Sequence, residues 1–124
     1  MNRLRRLTPA LANEDPEFVL AARMWDGDVV FASDHDALRM VVRDGRVTEV
    51  VPSAVEASAQ IRVIATEDAW EKLLQRVPPP FYQDLFGAAT RHGVLLLGDP
   101  TDLFPYYPAL RRLIELLRKE GSAG

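Results

Sequence analysis

The chain has 124 residues and no cysteine. Disulfide scaffolds, thiol nucleophiles and thiolate metal sites are therefore excluded. Its two histidines are His35 and His92, which leaves few groups able to act as neutral-pH bases or imidazole ligands. No apolar run approaches the roughly 18 residues that span a bilayer. The basic start, Met1-Asn-Arg-Leu-Arg-Arg-Leu7, is followed by no apolar signal core, so a cytoplasmic location is the default expectation. Gly-x-Gly-x-x-Gly and Gly-x-Ser-x-Gly are both missing, which removes support for dinucleotide binding and for a serine-hydrolase elbow. A net charge of −3 argues against nucleic acid as a partner, because phosphate binding needs a concentrated basic surface.

What is present is a patterned single domain, long enough to build a core without staples. Residues 1–15 carry few periodic apolar positions and read as a loosely attached arm or short helix, with the domain proper over 16–120. Phe18, Leu20, Ala22 and Met24 alternate, predicting a first strand over 18–25. Asp26-Gly27 reads as a hairpin turn, and strands follow over 29–33, 37–43 and 46–51, the last two joined by Asp44-Gly45. The expectation is an antiparallel meander of four strands, then a fifth over 60–65. Thr66 is placed to cap a helix carrying Ala69, Trp70, Leu73, Leu74 and Val77, which Pro78-Pro79-Pro80 stops. A second helix is expected from Phe81 to about Thr90, then an apolar strand, Val94–Leu97, with no polar face. Asp99 or Thr101 caps a short turn, and Pro105-Tyr-Tyr-Pro108 bends the chain. The last helix is expected over 109–119, with Leu110, Leu113, Ile114 and Leu117 inward and Arg111, Arg112, Glu115, Arg118 and Lys119 in water. Residues 121–124 are expected to fray. Strands and helices segregate along the chain, the mark of an α+β domain.

Catalytic signals are sparse. Asp34-His35-Asp36 sets a histidine between two carboxylates, but Asp is frequent in turns because its side chain bonds local amides, and the tripeptide joins two strands. His92, before Gly93, suits the C-terminus of a helix. Glu49 alternates with valines and reads as a solvent-face residue.

The C-terminal half holds more apolar side chains than one face of a small sheet absorbs. Two uses stay open: a filled core with a homodimer surface, or an internal apolar cavity between helices and sheet. An enzymatic alternative is a cone-shaped fold of the ketosteroid-isomerase type with Asp34 or Asp36 as base. Such folds place helices first, whereas strands are expected first here.

Three stretches in order carry a resemblance. Ala37-Leu-Arg-Met-Val-Val-Arg-Asp-Gly-Arg-Val-Thr-Glu-Val50 reads as a hairpin with a glycine turn. Ile61-Arg-Val-Ile-Ala-Thr-Glu-Asp-Ala-Trp-Glu-Lys-Leu-Leu74 is a strand running into an apolar helix. Gly93-Val-Leu-Leu-Leu-Gly-Asp99 is a glycine-bracketed strand before the final helix. Together they resemble the sterol carrier protein 2 (SCP2-like) family of lipid-binding domains, over about residues 17–119. The resemblance implies a five-stranded, mostly antiparallel sheet with helices packed on one face around an apolar tunnel. It implies non-enzymatic binding or carriage of a sterol, fatty acid or acyl-CoA, with no cofactor and no catalytic residue. Transient membrane contact would accompany such carriage. The lining positions it implies are Trp70, Leu74, Phe81, Leu85, Phe86, Leu103, Phe104, Leu110 and Ile114.

Overall fold

The computed structural model describes residues 3–122. After a 3-10 turn at Leu4–Arg6, two short helices follow, α1 (Pro9–Asn13) and α2 (Pro16–Ala22). Then come β1 (Gly27–Ala32), β2 (Ala37–Arg43), β3 (Arg46–Ser53) and β4 (Ile61–Ile64). Helices α3 (Glu67–Leu73) and α4 (Leu85–Arg91), strand β5 (Leu95–Gly98) and helix α5 (Pro100–Ser122) complete the chain. The five strands make one sheet in the order β3-β2-β1-β4-β5. β1 and β4 run parallel, and the other three pairs are antiparallel.

Period-2 alternation sorts the sheet's two faces. Val29 and Phe31, Leu38, Met40 and Val42, and Ile61 and Val63 join the helices in the main core. Val30, Ala32 and Ala37 point the other way, where Val55, Ala57 and Ala59 of the loop after β3 cover them. Asp44 and Gly45 both adopt positive φ, 50° and 75°, as a type I′ hairpin turn requires. Glu49 is exposed, as its alternation with valines implies.

The segment expected as the first strand is helix α2. Asp15 caps it, accepting from the Phe18 amide at 2.8 Å, and Pro16 occupies the first turn. Phe18 and Ala22, four residues apart, are buried, while Leu20 and Met24 remain 62% and 81% exposed. The alternation of four apolar residues was therefore coincidental, and the capping signal Asp-Pro-Glu won. Consequently Asp26-Gly27 is no hairpin: the Asp26 carboxylate accepts from the Asp44 amide at 2.9 Å, and the meander has three strands.

Of the two expectations for the N-terminal segment, the short helix is found, as α1, and the loose attachment is not. Leu4, Leu7 and Ala12 lie in the main core. The Asn13 side chain donates to the Val47 carbonyl at 2.8 Å and accepts from its amide at 2.9 Å, holding α1 to the rim of β3. Arg3 donates to Glu71 and to the Leu74 carbonyl. Too few apolar residues stand here to show a period, but Leu4, Leu7 and Ala12 are buried and Leu11 packs against the core. Met1 and Asn2 lie outside the described residues.

Helix limits also shift. α3 ends at Leu73, and Val77 is exposed. Asp84 caps α4, accepting from the Gly87 amide at 2.8 Å, so this helix starts four residues later than Phe81. The last helix starts at Pro100 and continues through Pro105 and Pro108. Each proline removes one helical N–H. Both lie on the exposed side, while Leu103, Leu110, Leu113, Ile114 and Leu117 are buried. Residues 121 and 122 belong to this helix, and 123–124 lie outside the described residues.

Strand β5 is the sheet's edge and not a doubly covered strand. Val94 is buried and Leu96 packs on the core, but Leu95 and Leu97 are 50% and 41% exposed on the opposite face.

Candidate functional site

Thr66 accepts from the Ala69 amide at 3.1 Å, fixing the start of α3 and turning Trp70, Leu73 and Leu74 toward the sheet. The Trp70 indole N–H donates to the Ala32 carbonyl at 2.9 Å, and its ring meets Phe31 edge-on at 6.1 Å. Leu85 arrives from α4, and Leu103, Leu110 and Ile114 from α5. Six of the nine implied lining positions thus converge on one apolar interior: Trp70, Leu74, Leu85, Leu103, Leu110 and Ile114. The other three, Phe81, Phe86 and Phe104, are exposed. The Phe86 ring lies 6.0 Å from Phe104 and 4.2 Å from Tyr107. Phe81 sits beneath the Arg91 guanidinium at 4.6 Å.

Residues 75–92 cross this interior as a flap. Its first ten residues contain Pro78, Pro79 and Pro80 and form no α-helix. Phe81 takes φ 65°, which is strained for a bulky side chain. Tyr82, Leu85 and Ala88 anchor the flap in the core. His92, the C-cap of α4, stacks on Tyr82 at 3.9 Å, with Nε2 3.0 Å from the Pro80 carbonyl. The Tyr107 hydroxyl donates to Asp84 Oδ1 and accepts from the Phe86 amide, both at 3.4 Å. Burial, aided by the Asp84 charge, pushes the Tyr107 hydroxyl above its ordinary pKa.

Arg118 is the flap's main polar tie. Its Nε donates to the Leu73 carbonyl, and its Nη2 to the carbonyls of Tyr82 and Gln83, each at 2.9 Å. Helical periodicity assigns Arg118 to water, yet it is half-buried. Arg112 departs from the same expectation: it forms a paired contact with Asp15, both bonds at 2.9 Å. Neither role is visible in sequence, because the partners lie 35 to 97 positions away.

The interior is occupied by the protein's own side chains. Trp25, Trp70, Phe18, Phe31 and Met40 are among the largest fully buried residues. The principal clefts on the described residues are open surface grooves, and Trp70, Leu74, Leu85, Leu103, Leu110 and Ile114 line none of them. Among the described residues, none of these grooves opens into that interior.

The Asp34-His35-Asp36 turn is organised by Ser33. The Ser33 hydroxyl accepts from the amides of His35 and Asp36 and donates to Glu67 at 2.8 Å. Asp34 and His35 are exposed, and Asp36 pairs with Arg5 at 2.9 Å. Among the described residues no group of three His, Asp or Glu is placed to hold a metal. Helices α1 and α2 precede the sheet, so the helix-first argument no longer separates the isomerase-like alternative. The exposure of Asp34 and the ion pair of Asp36 now weigh against a base there, since neither is desolvated.

No protein-family model and no curated protein matches the chain. Solved structures do. One described as sterol carrier protein 2 superposes with TM-score 0.71 at 22% identity, covering 88% of each chain. The solution structure of a conserved hypothetical protein from Thermus thermophilus, described as possibly a sterol carrier protein, gives 0.69 at 21% identity over 90% of this chain and 81% of that one. A ubiquinone synthesis protein, UbiJ-SCP2, gives 0.57 at 18% identity, covering 89% and 84%. The likeness is one of fold: the chain has the SCP2-like fold, a five-stranded mixed sheet with helices.

Proposed function

We propose that this protein binds or carries a lipid-like apolar molecule (a sterol, fatty acid or acyl-CoA), without catalysis, between sheet and helices beneath the flap. The observation that carries this reading is a poorly regular flap, rimmed by exposed aromatic rings, over a wholly apolar interior in an SCP2-like fold. Since side chains fill that interior, a guest enters by displacing the flap. Tyr82, Leu85 and Ala88 lift away, and the guest takes their contacts with Trp70, Leu74, Leu103, Leu110 and Ile114. Phe81, Phe86 and Phe104 make the rim and suit transient contact with a membrane interface. Burying a sixteen-carbon chain contributes about 12 kcal/mol gross at ~0.8 kcal/mol per methylene. Association costs about 4–15 kcal/mol, and opening the flap adds to it, so affinity is expected to be micromolar at the tightest.

The test is to delipidate the purified protein and titrate it with a fluorescent fatty acid, alongside mass spectrometry of lipid extracted from the untreated protein. Saturable binding displaced by unlabelled palmitate or sterol is expected. No co-purified lipid together with no saturable signal sinks the reading.

A second reading, a homodimerising module, is favoured by the exposed Leu95 and Leu97 on an edge strand that carries no charged residue. The α5 stripe does not serve it, because Leu113 and Leu117 are buried. Light scattering of Leu95→Lys against the parent chain checks it: a dimer that dissociates in the variant is required.

A further inference from the structure

Near the C-terminal ends of α3 and α5, an open cleft of about 400 Å3 is lined by Arg76, Glu115, Arg118 and Lys119. Among the described residues that line it, three are cations and one is a carboxylate, and Lys119 has a partner of its own. Arg118 is half-buried, yet its hydrogen-bond acceptors are the neutral carbonyls of Leu73, Tyr82 and Gln83. It makes no ion pair with a carboxylate among the described residues. A guanidinium carries five N–H donors. Nε and Nη2 account for its bonds, and Nη1 makes none among the described residues. A partly desolvated cation with no carboxylate in ion-pair contact is incompletely compensated and favours an incoming anion. Burial lowers the pKa of Arg118, with Glu115 and Asp84 opposing that shift from further away. Arg76 is exposed at the start of the flap and forms no ion pair among the described residues.

We propose that this cleft is an oxyanion subsite, in which Arg118 and Arg76 take the phosphate or carboxylate head group of a single-chain amphiphile. The proposal rests on the lipid-binding reading above and specifies its ligand class. It also supplies a trigger. Nη2 of Arg118 holds the flap by the carbonyls of Tyr82 and Gln83, so an anion that draws the guanidinium into the cleft weakens both ties. Head-group binding and tail entry are thereby coupled, and a neutral alcohol of equal chain length lacks the first half of that coupling.

The experiment is a 1H–15N NMR titration of the full chain with decyl phosphate, decanol and inorganic phosphate, repeated on Arg76→Gln, an exposed position whose loss leaves the fold intact. Decyl phosphate is expected to bind about tenfold tighter than decanol, the scale of a charge-assisted hydrogen bond. It is expected to shift the Arg118 and Arg76 Nε–H resonances, and to lose most of that preference in the variant. If inorganic phosphate gives the same Arg76-dependent shifts and neither decyl compound binds more tightly than it, the anion site stands and the lipid reading fails. If decyl phosphate shows no advantage over decanol and phosphate moves neither arginine, the anion site is overturned. Binding of decanol then reports on the lipid reading separately.

Discussion

At the residue scale, two polar arrangements, one part-buried and one buried, hold the helical layer together. Asp15 caps α2 and at the same time pairs with Arg112 on α5, joining chain segments 97 positions apart. The Arg112 hydrogen bond holds the Asp15 carboxyl below its ordinary value of 3.8; burial opposes this, and the Phe18 amide adds to it. A carboxyl depressed in the folded state contributes stability that is full above the unfolded value. That contribution is lost as pH falls through the folded value. Urea midpoints measured from pH 7 to pH 2.5 should therefore drop below about pH 4, and Asp15→Asn should flatten that part of the profile. Asp15→Ala also removes the cap and leaves Arg112 unpaired, and is expected to cost about 2 kcal/mol.

Trp70 is the second case. The Ala32 carbonyl that accepts its indole N–H also accepts the Ala65 amide at 3.0 Å. Trp70→Phe thus leaves no orphaned acceptor and should cost only about 1–2 kcal/mol, whereas Trp70→Ala opens a cavity and should cost about 3–5 kcal/mol. Chemical denaturation of the two variants separates lost packing from the lost bond.

At the scale of elements, strand and helix signals competed wherever apolar runs were short. Phe18 to Met24 satisfied an alternating pattern, but Asp15-Pro16-Glu17 carried the stronger physical instruction: a cap, a preset φ and an acid in the first turn. For β5 the composition was read rightly as strand, and its surroundings were not. A run of aliphatics implies cover on both faces only if the strand is central, and β5 lies at the edge. Leu97→Lys is therefore expected to change stability by less than about 0.5 kcal/mol. Val94→Lys buries an unpaired ammonium and should cost about 3 kcal/mol or more. The same denaturation series, run on both variants, checks the contrast.

The flap is an element of a different kind, held less by its own helix than by Arg118, Tyr107 and the His92–Tyr82 stack. Arg118→Met keeps the aliphatic stem and removes the three carbonyl bonds. Hydrogen exchange should then quicken over residues 75–92 while the β1 and β2 amides keep their protection. Uniform acceleration across the chain would instead mean that Arg118 holds the whole fold.

At the scale of the molecule, the sheet order matters more than any single residue. The parallel β1–β4 pair sets α3 and α5 over the same face as Phe31 and Met40, so the apolar excess of the C-terminal half meets a ready surface. Most of that excess goes into filling the interior. What is left over is Phe81, Phe86 and Phe104 on the rim, Leu20 and Met24 beside α5, and Leu95 and Leu97 on the far face of the sheet. A guest beneath the flap would therefore compete with side chains for space, and would stabilise the fold against heat by an amount that rises with the logarithm of its concentration above Kd.

The sequence alone determined the hairpin at Asp44-Gly45, the capped start of α3, the α+β class and the inward stripe of α5. Each depends on contacts within a few residues, where propensity, capping and period act directly. The resemblance to the SCP2-like family also named six of the positions that meet in the interior. Tertiary structure decided which strand is the edge, that the N-terminal segment belongs to the core, and that three of the implied lining phenylalanines stay outside. It alone brought Arg112 to Asp15 and Arg118 to the flap carbonyls. Those outcomes depend on which distant surfaces meet, and local pattern carries no information about the partner across the fold.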